Sequence, residues 1–283
     1  MDVVYILSPA RSGSTFLQFL LGGHPEVVGI GEVSHVLREY CKTTDFSKVM
    51  SHCTCGVQPG ACPFWGSILK DLPSLSLQAG FTQVLGQFDK VFPDKVLLDS
   101  SKSGAFFEDY YLAHLRSAND QQLRLKILFL VRDFRGWVIS IKKHWLRTGL
   151  SNLWNTNIII NSYRWLYTSI KWLYRIRKHN IPFLPIYYEH LVFDTGNQMQ
   201  RIYDFLGLPP TSFTLSPTKV HELYGSPTMK SDPRKLSRVV YDAEWMQNCW
   251  FFFLGPIFIP PVLFNSTYAK RTSFINLRQN VGN

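Results

Sequence analysis

The sequence predicts an α/β fold in which a central parallel sheet is flanked by helices. Three observations carry that prediction. Short runs of buried-strand character recur along the chain, each run ends in a cluster of small or charged residues, and each then feeds a segment of helical periodicity. Strands that alternate with helices in this way form a parallel sheet covered on both faces, with ligands at the carboxyl ends of the strands. With 46% hydrophobic, 15% aromatic and 18% charged residues over 283 positions, the chain can bury enough apolar surface to offset its conformational entropy. Disordered, collagen-like and coiled-coil classes are thereby excluded.

The elements follow in order. Val3 to Leu7 is a short apolar run that stops at Ser8-Pro9, and Phe16, Leu17, Phe19, Leu20 and Leu21 follow at helical spacing. Gly22-Gly23 ends that helix, His24-Pro25 turns the chain, and Val33 to Tyr40 reads as a second helix with Glu32 at its start. From Cys41 to Pro93 the pattern is irregular, punctuated by Gly, Pro and Cys around Phe64-Trp65, and reads as an excursion outside the sheet. Lys95 to Asp99 and Lys126 to Val131 are buried-strand candidates, ending respectively in Ser100-Ser101-Lys102 and Arg132-Asp133. Gly136 to Leu146 is helical. In a longer helix Tyr163, Leu166, Tyr167, Ile170, Leu173 and Tyr174 form an apolar face opposite Arg164, Lys171 and Arg175. Phe183 to Tyr188 is a further strand, and the helix after it ends at Phe205-Leu206-Gly207. A single domain over 1–283 is expected, with the Cys-containing excursion at about 41–93 and an atypical apolar segment at about 246–283.

The formal charge of +10 favours an anionic partner, whether nucleic acid, a membrane surface or a multiply phosphorylated small molecule. Five cysteines, an odd number, and a strand that begins almost at Met1 point to reduced thiols and a cytoplasmic setting. The apolar stretch Cys249 to Phe264 is shorter than the ~20 residues that span a bilayer and is broken by Pro256, Pro260 and Pro261, so no transmembrane helix is expected. It is left open as an acceptor-pocket wall, a homodimer contact or a membrane contact. Cys53-x-Cys55-x6-Cys62 does not have the usual zinc-ligand spacing and finds only Cys41 nearby as a fourth ligand. No metal is expected, and the thiols read as a small reduced structural cluster.

Ser8-Pro9-Ala10-Arg11-Ser12-Gly13-Ser14-Thr15 sits where a phosphate-binding loop belongs, between a buried strand and a helix whose N-terminal N–H groups favour an anion. The nucleotide-triphosphatase pattern would require Gly at position 8 and Lys at position 14, where the chain has Ser8 and Ser14. One cation, Arg11, beside the hydroxyls of Ser12, Ser14 and Thr15 suits a group less charged than a γ-phosphate with magnesium, such as a sulfonate. Arg132 at a strand end and Ser140 on the next helix would reach one phosphate from two elements, through paired charge-assisted bonds and a hydroxyl. The competing role for Arg132 is an ion pair with Asp133, which is also the magnesium ligand of a kinase reading. Trp165 and Trp172, with Tyr163 and Tyr167, would stack nucleobases in a nucleic-acid reading, although their helical spacing favours packing.

Pro9 to Leu17, followed by His24-Pro25 and Gly31-Glu32, resembles the 5′-phosphosulfate loop of sulfotransferases that use 3′-phosphoadenosine 5′-phosphosulfate (PAPS), in the bacterial, carbohydrate and protein-tyrosine branches. Asp99-Ser100-Ser101-Lys102, Cys53-Thr54-Cys55-Gly56 with Cys62-Pro63-Phe64-Trp65, Tyr188-Glu189 and Phe205 to Pro209 continue the resemblance to about residue 245. The resemblance implies a P-loop NTPase-like sulfotransferase fold, PAPS as donor and 3′-phosphoadenosine 5′-phosphate (PAP) as product, with no metal. It implies Arg11, Ser12, Gly13, Ser14, Thr15, Arg132, Ser140 and Tyr188 as donor-binding residues, and Arg132 with Ser140 as the 3′-phosphate pair. Lys230 falls where relatives carry a basic loop over the nucleotide. Lys102 and Arg11 would supply cations to the sulfuryl group, Glu32 is the base, and His35 is the reserve base. The expected acceptor is a hydroxyl, less favourably an amine, of a small natural product or metabolite. A carbohydrate or peptide tyrosine, a P-loop kinase and a nucleic-acid-binding module are the alternatives.

Overall fold

The computed structural model describes residues 1–41, 52–117, 123–212, 215, 220–224, 241 and 243–279. The chain enters as β1 (Asp2–Leu7), α1 (Ser14–Leu21), β2 (Val27–Gly31) and α2 (Val33–Tyr40). After α3 (Trp65–Ile68) and α4 (Leu77–Val91) comes β3 (Val96–Lys102). Next, α5 (Gly104–Phe106) continues through a π-helical stretch, Phe107–Leu112, into α6 (Ala113–Ser117). The second half runs β4 (Arg124–Val131), α7 (Phe134–Arg147), α8 (Leu153–Thr156), α9 (Ile158–Lys178), β5 (Phe183–Tyr187), α10 (Tyr188–Phe193) and α11 (Thr195–Leu206). It closes with α12 (Trp250–Phe253) and α13 (Ile259–Gln279).

Five strands form one parallel sheet in the order β2-β3-β1-β4-β5. β3 pairs β1 from Asp2 opposite Val96 to Tyr5 opposite Asp99, then slips register before Leu7 meets Lys102. β2 pairs β3 from Val27 opposite Val96 and slips between Gly29 and Gly31. Both irregularities fall at carboxyl ends, where a bulge re-aims the side chains that follow.

The strands at the chain start, at 96–102, at 124–131 and at 183–187 occur where the sequence expects them. β2 is an addition. Its Gly29 and Gly31 interrupt the apolar run, yet Gly29 packs on Val220, and a Cβ on Gly31 would lie 2.8 Å from Cγ of Glu222. The 41–93 excursion contributes no strand over its described residues, but it is not irregular throughout: α4 is a 15-residue helix whose N-cap Ser76 accepts from Ala79 N.

The chain divides into two compact units. The first comprises 1–7, 14–128 and 203–238. In it α1 is buried along its whole length. His24 joins Pro209 O at 2.9 Å through Nε2, and its Nδ1 accepts from Glu26 N. Lys126 Nζ donates to the carbonyls of Phe205 and Leu206 at 2.9 Å each, tying the negative end of α11 to β4.

The second unit comprises 8–13, 129–202 and 239–283. Here the expected apolar face of α9 is overturned. Tyr163, Tyr167, Ile170 and Tyr174 are exposed, Tyr167 by 66%, and the buried face is Asn161, Ser162, Trp165, Ser169 and Ile176. Asn161 and Ser162 tolerate burial because they bond locally: Ser162 Oγ donates to Ile158 O and Asn161 Nδ2 to Asn155 O. Trp165, fully buried against Phe134 and Phe264, is closed to nucleobases. The atypical C-terminal segment packs one side inward through Phe251, Phe258 and Tyr268, and leaves Trp250, Phe252, Phe253 and Leu263 exposed. No described helix is long and apolar enough to cross a membrane.

Candidate active site

In the second unit the loop 8–13 is held in a conformation that ordinary side chains avoid. Arg11 has φ 70° and Gly13 has φ 95°, both left-handed. For a non-glycine residue that conformation costs roughly 1–3 kcal/mol and persists only where surrounding contacts impose it, commonly at a functional site. One such contact is Trp137 Nε1, which donates to Ala10 O at 2.6 Å. Gly13 has no alternative, because a Cβ there would lie 2.5 Å from the ring of Tyr188. The hydroxyls of Ser8 and Ser12 are buried and, among the described residues, meet no hydrogen-bond partner. A buried hydroxyl left over in this way fits an anion seated in the loop.

The same unit brings Arg132 and Tyr188 to that loop. The Arg132 guanidinium lies 5.0 Å from the centroid of the Tyr188 ring that packs on Gly13. A Cβ on Gly136 would sit 3.1 Å from Arg132 Nε, so glycine there lets the arginine cross the first turn of α7. Ser140 is buried one turn further along the same helix. Asp133 pairs with Arg135, Oδ2 to Nη2 at 2.7 Å, while its Oδ1 caps α7 by accepting from Arg135 N. Asn265 Nδ2 donates to Asp133 Oδ2 as well, at 3.1 Å. Glu189 accepts the Asp133 N–H with both oxygens at 3.1 Å. Burial, and then the neighbouring negative charge of Asp133, push the Glu189 carboxyl up to about 7.

The first unit holds the other expected residues. Ser14 and Thr15 are buried at the start of α1. Glu32 occupies the N-cap position of α2 but makes no capping bond; its Oε1 accepts from Lys102 Nζ at 2.5 Å. Both side chains keep about one sixth of their surface open, 16% for Glu32 and 17% for Lys102. Lys102, at the register slip that ends β3, has φ 64°. Beneath it Asp99 accepts from Ser101 N at 2.7 Å, from Ser101 Oγ at 2.5 Å and from Tyr111 OH at 2.8 Å, and Ser101 Oγ accepts from Ser34 N of α2. Complete burial raises the Asp99 carboxyl to about 7 against the pull of those donors. Ser103, rather than Ser100 or Ser101, caps the helix that follows. His35 is stacked on Tyr224, centroids 4.1 Å apart and planes within 9°, and burial lowers its pKa from the ordinary histidine value.

A family model described as a sulfotransferase domain matches residues 1–243. The chain belongs to that family. Two solved structures share its fold: the sulfotransferase domain of the Synechococcus olefin synthase, 20% identical, covers 95% of this chain and 94% of its own at a TM-score of 0.53. The sulfotransferase domain from the curacin biosynthetic pathway, also 20% identical, covers 86% and 88% at 0.54. No curated protein matches the chain. Within the sulfotransferase frame, Arg11, Ser12, Gly13, Arg132, Ser140 and Tyr188 all belong to one unit, and Ser14, Thr15, Glu32, His35 and Lys102 to the other. Lys230 lies outside the described residues. Sequence reasoning gave no role to Trp137, Gly136 or Asn265, and it gave Asp99 and Glu189 only as parts of motifs. Their signal is tertiary, since each acts by bonding or making room for a residue on another element.

Proposed function

We propose that this sulfotransferase moves a sulfuryl group from PAPS to the hydroxyl, less readily the amine, of a small natural product or metabolite. The observation that carries the reading is the Glu32–Lys102 pair, a carboxylate and an ammonium at 2.5 Å, each partly open to solvent. An attacking hydroxyl must give up its proton, and a positioned carboxylate accepts it; a cation stabilises the charge that builds on the transferring group. Oε1 of Glu32 is engaged by Lys102, which leaves Oε2 as the atom assigned to the acceptor's proton. Lys102 is the cation assigned to the sulfuryl oxygens. His35, whose lowered pKa keeps it neutral near pH 7, is the reserve base.

In the other unit Arg11 and the Ser8 and Ser12 hydroxyls suit the 5′ end of the donor, and Arg132 with Ser140 its 3′-phosphate. When bound, PAPS supplies the sulfuryl group and leaves as PAP. A loop without Gly at position 8 and Lys at position 14, with Asp133 engaged by Arg135 and Asn265, speaks against a kinase. Two fold relatives belong to biosynthetic proteins, and that setting is carried to the acceptor here as part of the proposal. PAP should raise the melting temperature in the presence of EDTA, because a ligand of the native state stabilises it by mass action. A shift produced only by ATP with magnesium would overturn the reading.

A further inference from the structure

The geometry points to a zinc ion held by Cys53, Cys55, Cys62 and His221, a structural site that fastens the 220–224 segment to the 53–65 loop. The sequence offers three cysteines at an unfamiliar spacing with only Cys41 nearby as a fourth ligand; the fold instead supplies His221, 159 residues beyond Cys62. One ligand atom from each of the four residues lies within 4.8 Å of every other. Cys55 Sγ is 3.9 Å from Cys62 Sγ, and Cys62 Sγ is 3.3 Å from His221 Nδ1. Tetrahedral zinc, with Zn–S of about 2.3 Å and Zn–N of about 2.0–2.1 Å, places sulfur ~3.8 Å from sulfur and sulfur ~3.5 Å from nitrogen. All four cysteine and histidine residues converge without any disulfide. Three thiolates and an imidazole form a soft, closed set that suits zinc and leaves no open position for substrate.

The surroundings are shaped for this task. Gly56, φ 95°, turns the chain between Cys53 and Val57, and Cys53 N donates to Val57 O at 2.8 Å. Trp65 N donates to Cys62 Sγ at 3.4 Å, an outer bond that orients the sulfur. His221 is fixed along its backbone from two sides: its N–H donates to Gly29 O at 2.7 Å, and its carbonyl accepts from Trp65 Nε1 at 2.5 Å. Thr54 and Glu222 exchange bonds, Thr54 N to Glu222 O at 3.1 Å and Glu222 N to Thr54 Oγ1 at 2.9 Å. The segment so fastened presses Glu222 onto Gly31, the residue before Glu32, and stacks Tyr224 on His35. Zinc here would brace the carboxyl end of β2 from outside, without touching any reacting group.

The full chain, expressed with zinc in the medium and purified without chelator, should retain one zinc per chain on elemental analysis after dialysis. Exchange with cobalt should give the visible absorption of a tetrahedral thiolate site. Cys62→Ser and His221→Ala should lose most of that zinc, whereas Cys41→Ser and Cys249→Ser should keep it. Chelation should lower the melting temperature of the parent. These readouts need neither donor nor acceptor, so they stand or fall apart from the sulfotransfer reading. A parent chain that is folded by circular dichroism yet holds no zinc and takes up no cobalt would overturn the site. So would iron in its place, a disulfide among the three cysteines, or full zinc retention in both Cys62→Ser and His221→Ala; failure of the variants to fold leaves the parent's zinc and cobalt content to decide.

Discussion

The two units treat their charges in opposite ways. In the first, Glu32 and Lys102 are brought face to face as a partly open ion pair. In the second, Asp133 is bonded by Arg135, Asn265 and its own helix, and Glu189 by the Asp133 backbone, while the Arg132 charge also acts on Glu189. Arg132 also lies on an aromatic face. A paired arrangement suits proton movement. The second arrangement, an arginine over an aromatic ring in the same unit as two serine hydroxyls that meet no partner among the described residues, suits the binding of an anion.

If that contrast is correct, Glu32→Gln should break only one side of it. Turnover should fall by roughly 10²–10⁴-fold, the usual contribution of a positioned base, while PAP affinity measured by calorimetry changes little. Turnover within a few-fold of the parent at saturating donor and acceptor would pass the role to His35. Arg132→Ala should do the reverse. A hydrogen bond to a charged group contributes about 1.5–3 kcal/mol, so PAP should bind ~10-fold or more weakly, and the 3′-dephosphorylated analogue nearly as before. Equal losses for both nucleotides would assign Arg132 to folding. Gly13→Ala tests whether the loop's shape itself matters: its left-handed φ and the 2.5 Å approach to Tyr188 should lower stability by about 1–3 kcal/mol in urea melts and abolish the PAP-induced shift.

The smallest effect concerns what the units share. Each buries one carboxyl raised to about 7, Asp99 in the first and Glu189 in the second. A raised carboxyl keeps its proton in the folded chain over the range where the unfolded chain has lost it. Its contribution to stability is therefore complete below the unfolded value near 4 and is lost as pH rises to about 7. Asp99→Asn should flatten urea midpoints over that window relative to the parent, by at most about 1.4 kcal/mol per pH unit. A parallel pH dependence in the two proteins would show that Asp99 ionises normally.

Residues whose role is set by their own strand or helix were legible in the sequence. β1, the loop and α1 follow from apolar runs and small residues, and Lys102 and Arg132 from their place at strand ends. Where a residue's neighbour comes from far along the chain, the reading failed. β2 was hidden because Gly29 and Gly31 look like breakers until Val220 and Glu222 are packed against them. The α9 face was misread because the core accepted Asn161 and Ser162, whose polar groups bond within their own stretch, together with Ser169, and left the tyrosines outside. The left-handed backbone at Arg11 and Lys102 carries no compositional mark, since neither residue type favours it.

The family model matches through residue 243, yet Asn265 reaches Asp133 and Tyr187, and Tyr268 OH donates to Phe129 O of β4 at 2.7 Å. A protein trimmed at residue 243 would thus lose a donor to Asp133 and would leave a buried strand carbonyl without its tyrosine. The packing around Asp133 and β4 runs past the residues that the family model matches, and any chimera or truncation has to be cut to the longer measure.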